Sequence, residues 1–291
     1  MKNMTRRSAI GALAMSASLA YAREKGNTFA LIGDRYHNSD YIRTSLGKTL
    51  GEGAGLKIDF YDEVKLLNAE ELQGYRMLVI LRDGMTWPAG YGRGGGRGGR
   101  AGGAAKSGAG GGRPAAPEIV SDPPLPEWGG EAHYWITPEQ GKAVKDFVSR
   151  GGSALFYHNV GYISPHNDDF RDVFGAVTQG HPALRPFKVK IVNKDHPITR
   201  GVNDFIVTDE QHFLEYQKDP KYLLMQSVNE DGLTHQRQGK DLGTTSAAGW
   251  AYDYGKGRVC YLAPGHVMTS LWNPEYVKIQ KNAVRWLLRE I

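Results

Sequence analysis

Three short, mainly apolar runs constrain the fold more than anything else in this chain. Thr28-Phe29-Ala30-Leu31-Ile32-Gly33, Lys57 to Tyr61 and Met77-Leu78-Val79-Ile80-Leu81 read as buried strands. Between the first two, Ile42, Leu46 and Leu50 recur at helical spacing, and Gly51 to Gly55 end the helix they predict. Between the second and third, Asn68-Ala69-Glu70-Glu71-Leu72 predicts a short helix with an Asn cap. Apolar strands alternating with helices are the pattern of a parallel sheet covered on both faces.

The alternation resumes at Thr137-Pro138-Glu139-Gln140, a capping box with Pro at the first helical position. Val144, Phe147 and Val148 supply the inward stripe of that helix, and Gly151-Gly152 close it. A strand from Ala154 to Tyr157 follows at once and delivers His158 to the sheet edge. Further on, Asp168 to Phe174 predicts a helix, and Phe187 to Val192 and Tyr222 to Val228 predict strands. Gly249 to Tyr254, the Gly255-Lys256-Gly257 turn and Arg258 to Ala263 predict a hairpin, and Glu275 to Leu288 a closing amphipathic helix. The expected class is α/β: a doubly wound, mostly parallel sheet with helices on both faces and a C-terminal β-hairpin plus helix. No internal repeat is present.

Two segments stand outside this pattern. At residues 1–22, Lys2, Arg6 and Arg7 precede a short apolar run and Ala20-Tyr21-Ala22, the layout of an export signal, and the paired arginines resemble the twin-arginine type. The mature domain is then expected from 23 to 291, periplasmic or secreted, with no membrane attachment once the signal is removed. At about 89–126 the chain is glycine, arginine, alanine and proline, with too little apolar surface to offset the entropy of ordering, so a flexible surface insertion is expected. These segments also carry the net charge of +5. The leader and residues 91–113 hold eight basic residues and no acidic ones, so removing them from 36 leaves 28 basic against 31 acidic. A mildly acidic body argues against a nucleic-acid partner. Cys260, the single cysteine, lies in an apolar strand, which excludes disulfides within the chain and thiolate metal clusters.

In an open α/β sheet, ligands bind in the crevice beyond the carboxyl ends of the strands. His37, His158 and His266 each follow an apolar strand directly or within a few residues, and His181, Glu210 and His212 lie in loops between them. Convergent imidazoles and a carboxylate suit two chemistries. One is a divalent metal such as zinc, with His37, His158 and His266 as ligands. The other is acid-base work on a sugar, with His158 and Glu210 exchanging protons. A Gly-x-Ser-x-Gly elbow is lacking, and no Gly-x-Gly-x-x-Gly or P-loop follows a strand, so neither a serine nucleophile nor a bound nucleotide is expected. Asp195-His196-Pro197-Ile198-Thr199-Arg200-Gly201 reads as a turn. The aromatics Trp250, Tyr252, Tyr254, Tyr261 and Trp272 fit either core packing or a sugar-stacking cleft.

Taken together these segments resemble the ThuA-like family, named for trehalose utilisation, whose fold is that of class I glutamine amidotransferases. The resemblance rests on Gly33 to Asn38, Thr137 to His158, Gly180-His181-Pro182, Asp195 to Gly201, Thr208-Asp209-Glu210, and Tyr254 to Val259 running on to Pro264-Gly265-His266. It implies a flavodoxin-like sheet in which His158 stands where the amidotransferases keep their nucleophilic cysteine, so glutaminase activity is not expected. It implies a small-molecule carbohydrate ligand, a disaccharide, glycoside or 3-keto-sugar, and hydrolase, lyase or isomerase chemistry. A non-catalytic sugar-binding protein, or a partner of a sugar oxidoreductase, is the alternative. The expected catalytic residues are His158, Glu210, His37 and Asp209, with His181, His266 and Trp250 binding substrate. His158 is expected to be partly exposed, so that replacing it by Ala would change stability by no more than about 1 to 2 kcal/mol.

Overall fold

The computed structural model describes residues 25–86 and 132–291; the leader at 1–22 and the insertion at about 89–126 lie outside the described residues. Among the described residues fifteen strands are formed, which are β1 Thr28–Ile32, β2 Ile58–Tyr61, β3 Met77–Leu81, β4 Met85–Thr86, β5 His133–Tyr134, β6 Ser153–Tyr157, β7 Ala176–Gly180 and β8 Arg185–Ile191, followed by β9 Phe205–Asp209, β10 Phe213–Tyr216, β11 Leu223–Val228, β12 Gln236–Arg237, β13 Lys240–Asp241, β14 Thr245–Tyr254 and β15 Gly257–Leu262. The helices are α1 Ser39–Leu46, α2 Pro138–Ser149, α3 Asp168–Phe174, α4 Met268–Leu271 and α5 Pro274–Leu287.

Nine strands make one sheet in the order β2-β1-β3-β6-β15-β14-β11-β8-β9. The first five run parallel and follow the flavodoxin-like order, with its switch point between β1 and β3. From β15 onward each neighbour is antiparallel. This second half begins at the predicted hairpin, because the two-residue turn between β14 and β15 permits only antiparallel pairing. Every residue of β1, β3 and β6 is buried.

Helices cover both faces. Successive residues of β6 point to opposite sides: the Phe156 ring packs on Phe170 and Phe174 of α3, 5.4 and 5.8 Å away, while Tyr157 Oη donates to Gln280 Oε1 of α5. The capping box of α2 forms as expected, with Thr137 Oγ1 accepting from the Gln140 N–H and Gln140 Oε1 accepting from the Thr137 N–H. Asn68 caps a pair of turns rather than a helix: its side chain accepts from the Glu71 N–H, but the run reaches Gly74 in left-handed conformation before a second helical turn closes. Among the described residues no helix is long and apolar enough to cross a membrane.

Trp250 is part of this core. It is wholly buried, its indole N–H donates to the Phe174 carbonyl at 3.0 Å, and its ring packs on Phe174, Tyr216 and Tyr261. It has no face on the cavity described below, so it is no stacking platform for a ligand. Trp250→Ala is expected to cost about 3 to 5 kcal/mol in denaturant unfolding while the protein that remains folded binds its ligand unchanged. A selective loss of binding with normal stability would return Trp250 to the site.

Candidate active site

The carboxyl ends of β1, β3, β6 and β9 open onto one cavity of about 790 Å³. The loop after β1 supplies Asp34 and His37, the loop after β3 supplies Asp83, and the 3-10 turn after β6 supplies His158 and Asn159. Strand β9 ends in Asp209 and the loop after it supplies Glu210 and His212, the residue after β7 is His181, and the loop after β15 supplies His266.

His158 takes φ +48, a left-handed conformation that a residue with a Cβ rarely adopts. The turn is held from both sides: Tyr261 Oη donates to the His158 carbonyl at 2.7 Å, and His158 Nδ1 lies 3.0 Å from the Ala263 carbonyl. A Cβ at Gly265 would come within 2.7 Å of His158 Cβ, so the loop after β15 can close over the ring only with glycine there. His158 is completely buried. The expectation of a partly exposed side chain is corrected by this packing, which puts the ring beneath the cavity surface.

Hydrogen bonding fixes the inward nitrogen of three of the five rings. A carbonyl or a carboxylate only accepts, so His158 donates from Nδ1 to Ala263, His181 from Nδ1 to Pro182 at 2.9 Å, and His37 from Nδ1 to Asp34 Oδ1 at 2.8 Å. In the neutral rings the Nε2 lone pairs then point into the cluster. There His37 Nε2 lies 3.0 Å from His266 Nδ1, and His158 Nε2 lies 3.4 Å from His212 Nε2. Glu210 Oε2 sits among them, 3.2 Å from His181 Nε2, 3.4 Å from His266 Nδ1, 3.7 Å from His158 Nε2 and 3.9 Å from His212 Nε2.

Each of these short nitrogen–nitrogen contacts is held by a proton on one partner, as the raised pKa of His266 supplies, or by a cation between the two. The donor atoms of His37, His158, Glu210 and His266 lie within 4.8 Å of each other, as do those of His181, Glu210 and His212. Tetrahedral zinc with nitrogen and oxygen ligands at its usual bond lengths spaces its donors by about 3.4 Å, so the first set fits such an ion with little adjustment. Asp34 behind His37 is the carboxylate partner that metal-binding imidazoles commonly have. Asn159, almost wholly buried on the cavity wall, donates from Nδ2 to Asp34 Oδ2 at 2.7 Å, while its Oδ1 accepts from no described residue. A buried acceptor of that kind is what a bound ligand satisfies.

Burial opposes ionisation of Glu210, but the facing His158, His266 and His181 outweigh it and hold the carboxyl far below the usual range. Burial likewise opposes ionisation of Asp34, yet His37 and the backbone N–H groups of Tyr36 and Asp83 bring it down to about 2. Burial lowers the pKa of His37 despite Asp34, keeping the ring neutral. In His266, burial is overcome by Glu210 and the pKa rises.

Asp209 has a different place from the other expected catalytic residues. It is fully buried, its Oδ1 accepts from the Glu210 N–H at 2.7 Å and its two oxygens accept from the N–H groups of Gly265 and His266 at 3.1 and 3.2 Å. It holds the two loops together and does not line the cavity. Asp34, Asp83, Asn159 and Tyr162 were not singled out in the sequence. For Asp34 and Asp83 a signal existed, since each lies two residues past the end of a strand that flanks the switch point.

Asp83 lines the cavity, and burial followed by the charge of Asp34 pushes its carboxyl up to about 7. An acid whose folded pKa is raised makes the folded state lose stability as pH climbs from its unfolded value, near 3.8, to about 7. Asp83→Asn is therefore expected to flatten the fall in stability over that window, where one such group contributes at most about 1.4 kcal/mol per pH unit. Denaturant unfolding of both proteins from pH 4 to 8 measures it; parallel curves would show that Asp83 ionises normally.

Comparison with known proteins agrees with this fold. No curated protein sequence matches the chain. Among solved structures, a ThuA-like protein from Bacteroides uniformis ATCC 8492 superposes with a TM-score of 0.57 at 15% identity, over 93% of this chain and 94% of that one. One from Parabacteroides merdae ATCC 43184 gives 0.59 at 13%, over 91% and 90%. The cold-adapted β-galactosidase from Rahnella sp. R3 gives 0.50 at 12%, with 96% of this chain matching 33% of that one. These likenesses establish the fold, and the sequence itself goes further: the family model described as ThuA, trehalose utilisation, matches residues 127–287, more than half of the chain, which therefore belongs to the ThuA family.

Proposed function

We propose that this protein is a metal-dependent enzyme of carbohydrate catabolism, acting on a glycoside, disaccharide or 3-keto-sugar in the cavity above the histidine cluster. The observation that carries this reading is the convergence of imidazole nitrogens on Glu210 Oε2 at the flavodoxin-type switch point. The family description, trehalose utilisation, supports the carbohydrate class. His37, His158, His266 and Glu210 would hold a divalent cation such as zinc, which when bound supplies a Lewis acid for a sugar oxygen.

The remaining roles belong to the chain. Asp34 orients His37, and Asp209 fixes the loops that carry Glu210 and His266. Glu210, held ionised, serves as fixed negative charge rather than as a proton carrier. Asp83, near 7, is the cavity group suited to take or give a proton at neutral pH. Tyr36, Met85 and Tyr162 offer the apolar faces on which a sugar ring packs.

Metal analysis of protein purified without chelator, followed by a thermal-shift screen of disaccharides and 3-keto-sugars, tests the reading. About one zinc or similar ion per chain is expected, and a ligand at 100 times its dissociation constant should stabilise by about 2.7 kcal/mol. Protein that takes up no divalent ion, or that no sugar shifts, would defeat it. The basic, apolar, Ala-Tyr-Ala layout of residues 1–22 supports export as well. The mature N-terminus is expected near Arg23 in a periplasmic or culture fraction, read by N-terminal sequencing.

A further inference from the structure

The cavity carries a cation that the proposed chemistry does not use. Arg237 lies on the short hairpin β12–β13, whose turn is built from Gln238 and Gly239, both in left-handed conformation. The hairpin is anchored: the His235 N–H donates to the Gly243 carbonyl, the Leu242 N–H donates back to His235, and the His235 ring stacks on Phe213 at 5.0 Å. From this anchored base the Arg237 side chain reaches the cavity wall, half-buried.

Other arginines near the cavity have their acceptors. Arg82 donates to the carbonyls of Gly33 and Asp62, and Arg185 to Gln211 Oε1 and the Leu233 carbonyl. Arg237 pairs with no carboxylate among the described residues. Its position depends on Gly180 at the end of β7, which has φ +94. A Cβ on Gly180 would meet Arg237 Nη1 at 2.9 Å and His235 Nε2 at 3.4 Å, so the bare backbone lets the guanidinium lie against the strand end. The next residue is His181, whose Nε2 is 3.2 Å from Glu210. The guanidinium is thus set beside the reaction centre, in a cavity that His37, Asp83, Glu210 and His266 also line.

A half-desolvated guanidinium presents its donors in a planar fork that matches a carboxylate or a phosphate. We propose that the substrate is an anionic sugar, bearing a carboxylate or a phosphate, and that Arg237 receives the anionic group while the ring lies over the histidine cluster. This rests on the carbohydrate reading above and narrows it to sugar acids or sugar phosphates.

The test is calorimetric titration of the zinc-loaded full chain with glucose, glucuronate and glucose 6-phosphate. At least one of the anions is expected to bind about 10- to 100-fold more tightly than glucose, the worth of a forked charge-assisted pair, and which of the two does so tells carboxylate from phosphate. Arg237→Gln should erase that preference with glucose affinity and zinc content unchanged, and Arg237→Lys should restore only part of it. A preference that survives Arg237→Gln would belong to the metal centre and overturn the assignment, as would glucose binding as tightly as both anions. Failure of all three sugars to bind would instead take the carbohydrate reading down with it.

Discussion

Glu210→Gln is expected to abolish stoichiometric metal binding and turnover together, with the fold intact. Glu210 is the member common to both donor sets and lies within 4 Å of four of the imidazoles. Glutamine has the same shape and can still accept a hydrogen bond, but it brings no charge to balance a divalent cation. Because even an outer partner of a metal ligand is worth about 10- to 100-fold in affinity, the ligand itself should be worth at least about 100-fold. The same substitution has a signature without metal. His266 owes its raised pKa to Glu210, so in the variant its titration should move down, observable by NMR of the apo protein. The acid limb of stability should also change. A carboxyl held below its ordinary value stabilises the fold above the unfolded pKa, near 4.5, and that contribution fades as pH falls toward the folded value. The variant lacks this loss. A Glu210→Gln protein that keeps one zinc per chain and full turnover would remove Glu210 from the centre.

How much of this was readable in advance follows from what kind of physics set each feature. The parallel half of the sheet was legible because strands such as β1, β3 and β6 are buried on both faces and therefore apolar throughout. Strands β8 and β9 alternate between buried and exposed residues, which says that they are half-covered but not that they extend the same sheet. The histidines were legible as strand-end residues, since a parallel sheet brings such ends to one edge. Their inward nitrogens were not, because those depend on the carbonyls of Ala263 and Pro182, which any residue could have supplied. Trp250 shows the limit of residue type: an aromatic on a strand suits a cleft or a core equally, and only packing decides. Arg237 carried no signal at all, because its standing comes from the glycine at 180 and from partners it does not have.

Asp209→Ala should be the most destabilising substitution in the site, although Asp209 touches no ligand. Its carboxylate gathers the N–H groups of Glu210, Gly265 and His266 from two loops that are distant in sequence. Without it, buried donors lose their acceptor, each costing about 1 to 3 kcal/mol, so a total of about 3 to 5 kcal/mol is expected from urea unfolding at pH 7. The loss should be larger than for Asp209→Asn, whose remaining carbonyl oxygen still accepts. Metal affinity should fall in the same order, because the loop after β15 carries His266 and sets Gly265 against His158 Cβ. A group that took part in proton transfer would behave otherwise: Asp209→Asn would remove turnover with stability and metal content unchanged. That pattern would make Asp209 a catalytic residue, whereas loss of stability and metal together, with the Asn variant intermediate, would confirm that it acts by holding the loops.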